Sequence, residues 1–141
     1  MTVSLSFPAD LKQLAAIRRF VQEAAAALHA DPEEAYDVIQ AVDESAANII
    51  MHGYRGAPGT IVVEVKPDGE ALVVCLRDQA PPFDPTQLPA PDVTLPLDQR
   101  PIGGLGVYLT RKLMDAVTHR VMPQGGNELI LVKKAILNGA A

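Results

Sequence analysis

The sequence at residues 31–54, DPEEAYDVIQAVDESAANIIMHGY, decides the fold and contains the first candidate functional residues. It begins with a strong helix start, because Asp31 can cap a helix and Pro32 suits the first helical position. Apolar residues then recur at helical spacing to about His52, and Gly53 marks the predicted helix end. The segment is therefore predicted to form one long helix that packs its apolar face on a core.

A polar stripe lies next to the apolar face of this helix. Glu44, Asn48 and His52 are spaced four residues apart, which places them on one side of a helix at about 100° per residue. Asn is a poor helix former, so its presence at position 48, in the middle of a helix, suggests a functional role. Its side-chain oxygen can hold a metal, and a nearby Glu44 can act as a base. A solvated helix edge would give the same stripe, and these residues alone leave both interpretations open.

The remaining segments complete a single domain that covers residues 1–141. Helical spacing predicts two further helices, and alternating or continuous apolar runs predict five strands. The predicted helices are 10–28, 31–52 and 103–117, and the predicted strands are 2–7, 60–66, 71–76, 120–122 and 128–134. This order favours an α/β (α+β) two-layer sandwich, in which three helices cover one face of a single mixed sheet.

Composition excludes several classes of function. A net charge of −5 makes the chain a poor candidate for binding nucleic acid through its phosphates. No apolar run approaches the roughly 20 residues that span a bilayer, and the first residues do not resemble a secretory signal. The single cysteine, Cys75, lies in an apolar run that predicts an inert core thiol. We therefore expect a cytoplasmic protein with no direct contact to nucleic acid or membrane.

Three features downstream could bind a ligand. Asp78 follows a buried strand and can accept a hydrogen bond from an exocyclic amine such as that of adenine, although a turn acid is the commoner explanation. The glycines of 103–106 open the third helix, where backbone N–H groups favour anions, but no P-loop pattern is present. Between Gln79 and Gly103 lie seven of the 12 prolines, and a long segment without periodicity predicts a functional loop.

The order and spacing of these signals are more specific than any one of them. The combined pattern is Glu44-x3-Asn48-x3-His52-Gly53-Tyr54, Asp78-x4-Phe83-Asp84, a loop, Gly104-Leu105-Gly106 and Gly126-Asn127. It resembles the GHKL ATP-binding superfamily of gyrase, heat-shock chaperones, histidine kinases and mismatch-repair ATPases over nearly the whole chain. The His-Gly-Tyr ending and Met114-Asp115 resemble one branch of it, the stand-alone serine kinases that act as anti-sigma factors.

The resemblance implies a role for each matching residue. Glu44 would be the catalytic base, Asn48 would hold Mg²⁺, and Asp78 would recognise the adenine of ATP. The other implied ATP contacts are Ala80, Phe83, Gly103, Gly104, Leu105, Gly106 and Asn127. Residues 80–103 would form the ATP lid, and Arg18 would contact a protein partner. His52 would be a helix-end residue near the lid, while His29 and His119 carry no special context and are interpreted as structural or solvated.

The same resemblance implies the biological setting. The chain would phosphorylate a STAS-domain anti-sigma factor antagonist, would also bind a sigma factor, and would form a homodimer. It departs from the family pattern at Ala80, where relatives have glycine, and the added methyl group could weaken ATP binding. Two alternatives therefore remain open: a non-catalytic nucleotide-binding or protein-binding module, and the ATP-binding half of a histidine kinase.

Overall fold

The computed structural model describes residues 1–85 and 104–137, without the side chains of residues 104–108. Its sheet has five strands, in the spatial order β1-β2-β3-β5-β4. The strands are β1 (Val3–Pro8), β2 (Thr60–Asp68), β3 (Ala71–Asp78), β4 (Ala116–Val121) and β5 (Asn127–Lys133).

All strand pairs in this described part are antiparallel, so the expectation of a mixed sheet was wrong. The reason lies in the connection after β3. The chain passes through the third helix to the far edge of the sheet, where it forms β4, and the following hairpin brings β5 back antiparallel to β3. The α+β two-layer architecture itself is confirmed.

The helices of the described part are α1 (Leu14–Ala27), α2 (Pro32–Asn48) and α3 (Gly104–Leu113). Asp31 caps α2 as expected, because its side chain accepts a hydrogen bond from the Glu34 amide at 3.0 Å. After α2 the chain continues as a π-helical turn, Ile49–Gly53, before the helix ends. A short 3₁₀ turn precedes α1.

The third helix ends earlier than the sequence suggested. It stops at Leu113, and β4 already begins at Ala116, although the helical spacing of leucines continues to Val117. The Asp115 amide donates to the Val132 carbonyl at 2.9 Å, so pairing with β5 begins there. Val117 packs against the core from a strand, where alternation gives it the same inward direction that helical spacing had predicted.

The core lies between the helices and one face of the sheet. On the helix-facing side, alternate residues of β2 and β3 are fully buried, and α1 and α2 supply the opposing side chains. These fully buried residues include Ile61, Val63, Val65, Leu72, Val74, Leu76, Ile17, Val21, Val38 and Val42. Each such aliphatic side chain stabilises the fold by roughly 1.5–3 kcal/mol through burial. This packing fixes the positions of the ends of β3, β5 and α2 relative to one another.

The opposite face of the sheet carries charged side chains that form ion pairs with one another. Glu128 accepts hydrogen bonds from Arg120 at 2.6 Å and from Arg77 at 2.7 Å, and these bonds hold the pKa of Glu128 below its ordinary value. Cys75 is buried beside them, and loss of solvent raises the pKa of its thiol. A buried thiol with a raised pKa forms little thiolate, which supports the predicted inert role.

No helix within 1–85 and 104–137 is long and apolar enough to cross a membrane.

Candidate nucleotide-binding site

The polar stripe of α2 lies where the α-helix becomes a π-helix. Asn48 is the last α-helical residue and is 7% exposed, and Glu44 lies one turn earlier in a half-buried position. Single π-helical turns within α-helices are frequent at functional sites. The structure therefore places Asn48 at a conformational junction, whereas the sequence suggested a regular helix interior.

The side-chain amide of Asn48 has no hydrogen-bond partner among the described residues, although the residue is almost buried. In that part of the chain every fully buried side-chain polar atom has a partner, so the Asn48 amide must still reach solvent. No group of three or more His, Cys, Asp or Glu residues there could hold a metal ion. An amide oxygen near solvent fits Mg²⁺ that keeps waters and phosphate oxygens as its other ligands.

Asp78 ends β3 with a buried carboxylate. The residue is 4% exposed, and its Oδ1 accepts hydrogen bonds from the Ala80 amide and from Asn127 Nδ2, both at 2.9 Å. Burial raises the pKa of Asp78, and the bonds from Asn127 and Ala80 oppose that rise. Because both of these hydrogen bonds go to Oδ1, the other carboxylate oxygen of Asp78 can accept a hydrogen bond from an exocyclic amine.

Asn127 is the hydrogen-bonding centre of the site. Its Nδ2 faces only acceptors, which are Asp78 Oδ1 and the carbonyl oxygens of Ala80 and Pro81. Its Oδ1 accepts from the Phe83 amide at 3.0 Å and lies 2.9 Å from His119 Nε2. This network assigns the orientation of the amide and makes Nε2 the protonated nitrogen of His119. Both ends of Asn127 are thus bonded to protein groups.

Two cavities lined by described residues adjoin this network. The smaller has a volume of only about 10 Å³, room for about one water molecule and far less than a purine base. Its walls include Ile49, Gly53, Asp78, Phe83, Pro85 and His119. The larger, of about 530 Å³, lies between the 79–83 segment and the loop that starts at His52.

The methyl group of Ala80 lies on the side of the larger cavity. A Cβ atom on Gly53 would lie 3.4 Å from the Ala80 Cβ, at ordinary van der Waals contact, so the methyl group of Ala80 packs closely against Gly53. Ala80 does not adopt the positive φ that would require glycine. The departure from the family pattern therefore introduces no backbone strain.

Two residues support the site in ways that sequence reasoning missed. Tyr54 Oη accepts hydrogen bonds from the amides of Gln79 at 2.8 Å and Thr60 at 3.3 Å, which ties the residue after Asp78 to the loop before β2. Gly126 has a φ of +88°, and a Cβ atom there would lie 2.1 Å from the Asp78 carbonyl oxygen. The Gly125-Gly126 pair before Asn127 was the only sequence signal for this close approach.

The remaining predicted residues lie further out. Gly104 begins α3, so Gly104, Leu105 and Gly106 form the first turn of a helix that packs against α2. Gly103 and most of the predicted lid lie outside the described residues. Arg18 donates to Asp43 at 2.6 Å, and its side chain stays 42% exposed. The structure thus brings together Asp78, Ala80, Phe83 and Asn127, and His52, at the end of the α2 stripe, lies against Phe83.

This arrangement of a buried strand-end carboxylate, a polar helix and a glycine-led helix is that of an ATP-binding domain of the GHKL type. The profile of the histidine kinase-like ATPase domain matches residues 7–133, and the chain belongs to that family.

Individual relatives agree with this assignment. The chain is 25% identical over 135 residues to the serine-protein kinase RsbW of Bacillus cereus strain Q1, covering 93% of this chain and 83% of the relative. The figures are the same for RsbW of Bacillus anthracis strain CDC 684 / NRRL 3495.

A solved structure shows the same fold. The crystal structure of the RsbU and RsbW domains of a Mycobacterium tuberculosis protein matches 95% of this chain with a TM-score of 0.67 at 17% identity. This chain spans 32% of that longer one. At this identity the match supports the fold alone, and it confirms the GHKL-type architecture that the sequence predicted.

Proposed function

We propose that this chain is an ATP-dependent protein serine/threonine kinase, and the buried acceptor Asp78 carries the proposal. Its Oδ1 is fixed by Ala80 and Asn127, which leaves the other oxygen to accept the amine of adenine. The amide of Asn48, which has no partner within residues 1–85 and 104–137, is suited to hold Mg²⁺ on the phosphates of the same nucleotide. The relationship to the serine-protein kinase RsbW supports phosphoryl transfer over simple nucleotide binding.

Glu44 is the proposed catalytic base, because it lies one helical turn from Asn48 on the same stripe. The serine oxygen of the substrate forms a bond to the γ-phosphorus while the bond from phosphorus to the β–γ bridging oxygen breaks. Glu44 accepts the serine proton, and ADP is the leaving group. Bound Mg²⁺ would neutralise charge on the phosphate oxygens, and the backbone N–H groups at the start of α3 would donate to them.

The proposed substrate is a STAS-domain antagonist, and the proposed role is that of an anti-sigma factor in a cytoplasmic partner-switching pathway. Arg18 is the proposed contact residue. Because its guanidinium is paired with Asp43, an acidic group of a partner would extend or replace that pair. We also propose a homodimer, as the resemblance to anti-sigma factor kinases implies.

Glu44→Gln tests the catalytic assignment. Glutamine keeps the shape of the side chain but cannot accept the serine proton, so transfer from labelled ATP to a STAS-domain protein should fall at least about a hundredfold. Affinity for Mg·ATP, measured by calorimetry, should stay within a few-fold. Glu23→Gln, which changes an exposed residue of α1, is the matched control and should transfer at the wild-type rate. Equal rates in wild type and Glu44→Gln would remove Glu44 from the role of base.

Ala80, which stands where relatives have glycine and lines the larger cavity, favours a second candidate, a non-catalytic module that works through protein contact alone. Such a module would show no Mg·ATP binding by calorimetry and no transfer to any STAS-domain protein. Binding of a STAS-domain protein or a sigma factor by the wild-type chain without nucleotide would then establish the protein-binding role.

A further inference from the structure

We propose that the outer face of α2 is the surface on which the serine-carrying substrate protein docks, and that Tyr36 and Met51 are its two apolar anchor residues. The outer face is defined by the exposed and partly exposed residues along one side of α2 and of the π-helical turn that follows it, which are Tyr36, Gln40, Asp43, Glu44, Ala47 and Met51. The proposal rests on the proposed function and deepens it, because it names residues that select the substrate protein.

The outer face is continuous along the helix. Its members follow one another at intervals of three or four residues, from Tyr36 through Gln40 and Glu44 to Ala47 and Met51. Residues at this spacing lie on one side of a helix, one turn above another. The opposite side of the helix carries the buried residues Val38, Ala41, Val42, Ser45 and Ala46. Within the described part of the chain, α2 is therefore covered on one side and open on the other.

Two large apolar side chains lie on this open side. Tyr36 is 62% exposed and Met51 is 47% exposed, although the solvent side of a helix in a globular domain is usually polar. Tyr and Met are enriched at the surfaces through which proteins bind one another. Their exposure on the same face as Glu44 therefore indicates a protein-binding surface.

The acidic residues beside the anchors are neutralised by neighbouring elements. Asp43 accepts a hydrogen bond from Arg18 of α1 at 2.6 Å. On the other side, Asp37 Oδ2 lies 3.7 Å from Lys133 Nζ, which also donates to the carbonyl at the end of α3. The cores of protein interfaces are depleted in charged residues. The outer face thus fits a partner whose surface around the serine is apolar rather than charged.

The position of Glu44 determines which partner must occupy this surface. A general base acts on a proton within hydrogen-bond reach, so the protein that carries the serine must lie over Glu44. At 1.5 Å per residue, Tyr36 lies about 12 Å before Glu44 and Met51 about 10 Å after it. A stable interface takes roughly 800 Å² from each protein, a patch about 30 Å across. A patch centred on Glu44 therefore includes both anchor residues.

Glu44 lies at the border between the outer face and the nucleotide side of α2. Asn48, one turn further on, is buried, whereas the neighbouring Ala47 is partly exposed. Within residues 1–85 and 104–137 the Glu44 carboxylate has no hydrogen-bond or ion-pair partner, so it is available to a serine hydroxyl. A serine that arrives over the outer face meets Glu44 without displacing a group bound at Asn48.

Tyr36→Ala and Met51→Ala test the anchor residues. The substrate is a STAS-domain protein that the wild-type chain phosphorylates, and its KM and kcat are measured at saturating Mg·ATP. Each truncation should raise the KM at least about fivefold, the loss typical of an interface anchor, and leave kcat within about twofold. Tyr36→Phe keeps the aromatic ring and should retain the wild-type KM. Leu5→Ala is the control, because Leu5 is 50% exposed but lies on the edge strand β1.

Calorimetry with Mg·ATP and thermal unfolding accompany the kinetics, so that damage to the nucleotide site or to the fold is recognised. A higher KM in the two alanine variants, with unchanged Mg·ATP affinity and a wild-type KM in Leu5→Ala, supports the docking surface. A wild-type KM in both alanine variants overturns it, as does a loss confined to kcat or to Mg·ATP affinity. If the wild-type chain binds Mg·ATP but phosphorylates no STAS-domain protein, the proposed function itself fails and the docking surface fails with it.

Discussion

At the scale of single residues, the buried carboxylate of Asp78 lowers the stability of the fold and also provides a hydrogen-bond acceptor for a ligand amine. The Asp78 residue is 4% exposed, so its carboxylate loses most of its hydration, and this loss raises its pKa. The folded-state pKa lies above the unfolded value, so the contribution of Asp78 to stability is present in acid and is lost as the pH rises through the folded-state pKa. Above that pKa the protein retains an unfavourable buried charge in the position where an amine donor would compensate it.

Asp78→Asn should separate these two properties. Asparagine can still accept the bonds from Ala80 and Asn127, but it is never charged. The stability of the variant relative to wild type should therefore increase as the pH rises from about 4 to about 7, measured by thermal unfolding at several pH values. Mg·ATP affinity should fall at least about tenfold, because an amide N–H₂ then faces the adenine amine.

The opposite trend would contradict this account of Asp78. A wild-type protein that gains stability over Asp78→Asn with rising pH would show that hydrogen bonds to the carboxylate outweigh its burial.

At the scale of secondary-structure elements, the sequence predicted those features whose signals are local. The start of α2 depends on Asp31 and Pro32, which are adjacent in sequence, and the helix begins where they indicated. The end of α3 was missed because Val117 continues the helical leucine spacing and also fits the inward side of a strand. Only the hydrogen bond between Asp115 and Val132, which lies 17 positions further along the chain, distinguishes a strand from a helix at Val117.

The candidate site was predictable to the same extent. Asp78 and Asn127 were identified by resemblance, but the contacts of His119 were not, and it was interpreted only as structural or solvated. From β4, His119 contacts Asn127 on the neighbouring strand β5 and also lies near Asp84. Neither contact produces a periodic pattern in the sequence. Contacts between residues far apart in sequence require the assembled sheet.

The turn between β4 and β5 offers a matched pair of substitutions. Gly125 and Gly126 both have positive φ values, +97° and +88°, so alanine strains the backbone at either position. A Cβ atom at Gly125 meets nothing within 4 Å, whereas one at Gly126 would lie 2.1 Å from the Asp78 carbonyl oxygen. Gly125→Ala should therefore cost about 1–2 kcal/mol in free energy of unfolding, and Gly126→Ala clearly more.

The same pair tests the link from this turn to the site. Gly126→Ala pushes Asp78 away from Asn127, so Mg·ATP affinity should fall in that variant and remain near wild type in Gly125→Ala. Urea unfolding and calorimetry give the two quantities. Equal losses of stability in both variants would show that backbone strain alone, without the contact to Asp78, sets the requirement for glycine.

At the scale of the whole molecule, the site depends on the position of the helical layer over the sheet. Asp78 and Asn127 belong to the sheet, while Asn48 belongs to α2 and the glycines to α3. Lys133, at the far end of β5 from Asn127, connects all three elements. Its Nζ donates to the Leu113 carbonyl at the end of α3 and lies 3.2 Å from Glu34 at the start of α2.

Lys133→Met should weaken this connection. Methionine keeps the aliphatic length of the side chain but leaves the last carbonyl of α3 without its donor, so we expect a loss of about 1–3 kcal/mol in free energy of unfolding. Lys134→Met is the matched control, because it removes the same charge from the next, exposed residue.

Urea unfolding of both variants at low and high salt separates the two contributions of Lys133. The ion pairs with Glu34 and Asp37, whose side chains are 46% and 37% exposed, are screened by salt, whereas the bond to the Leu113 carbonyl persists. Equal stability of the two variants would show that packing of α2 and α3 positions the helical layer without Lys133.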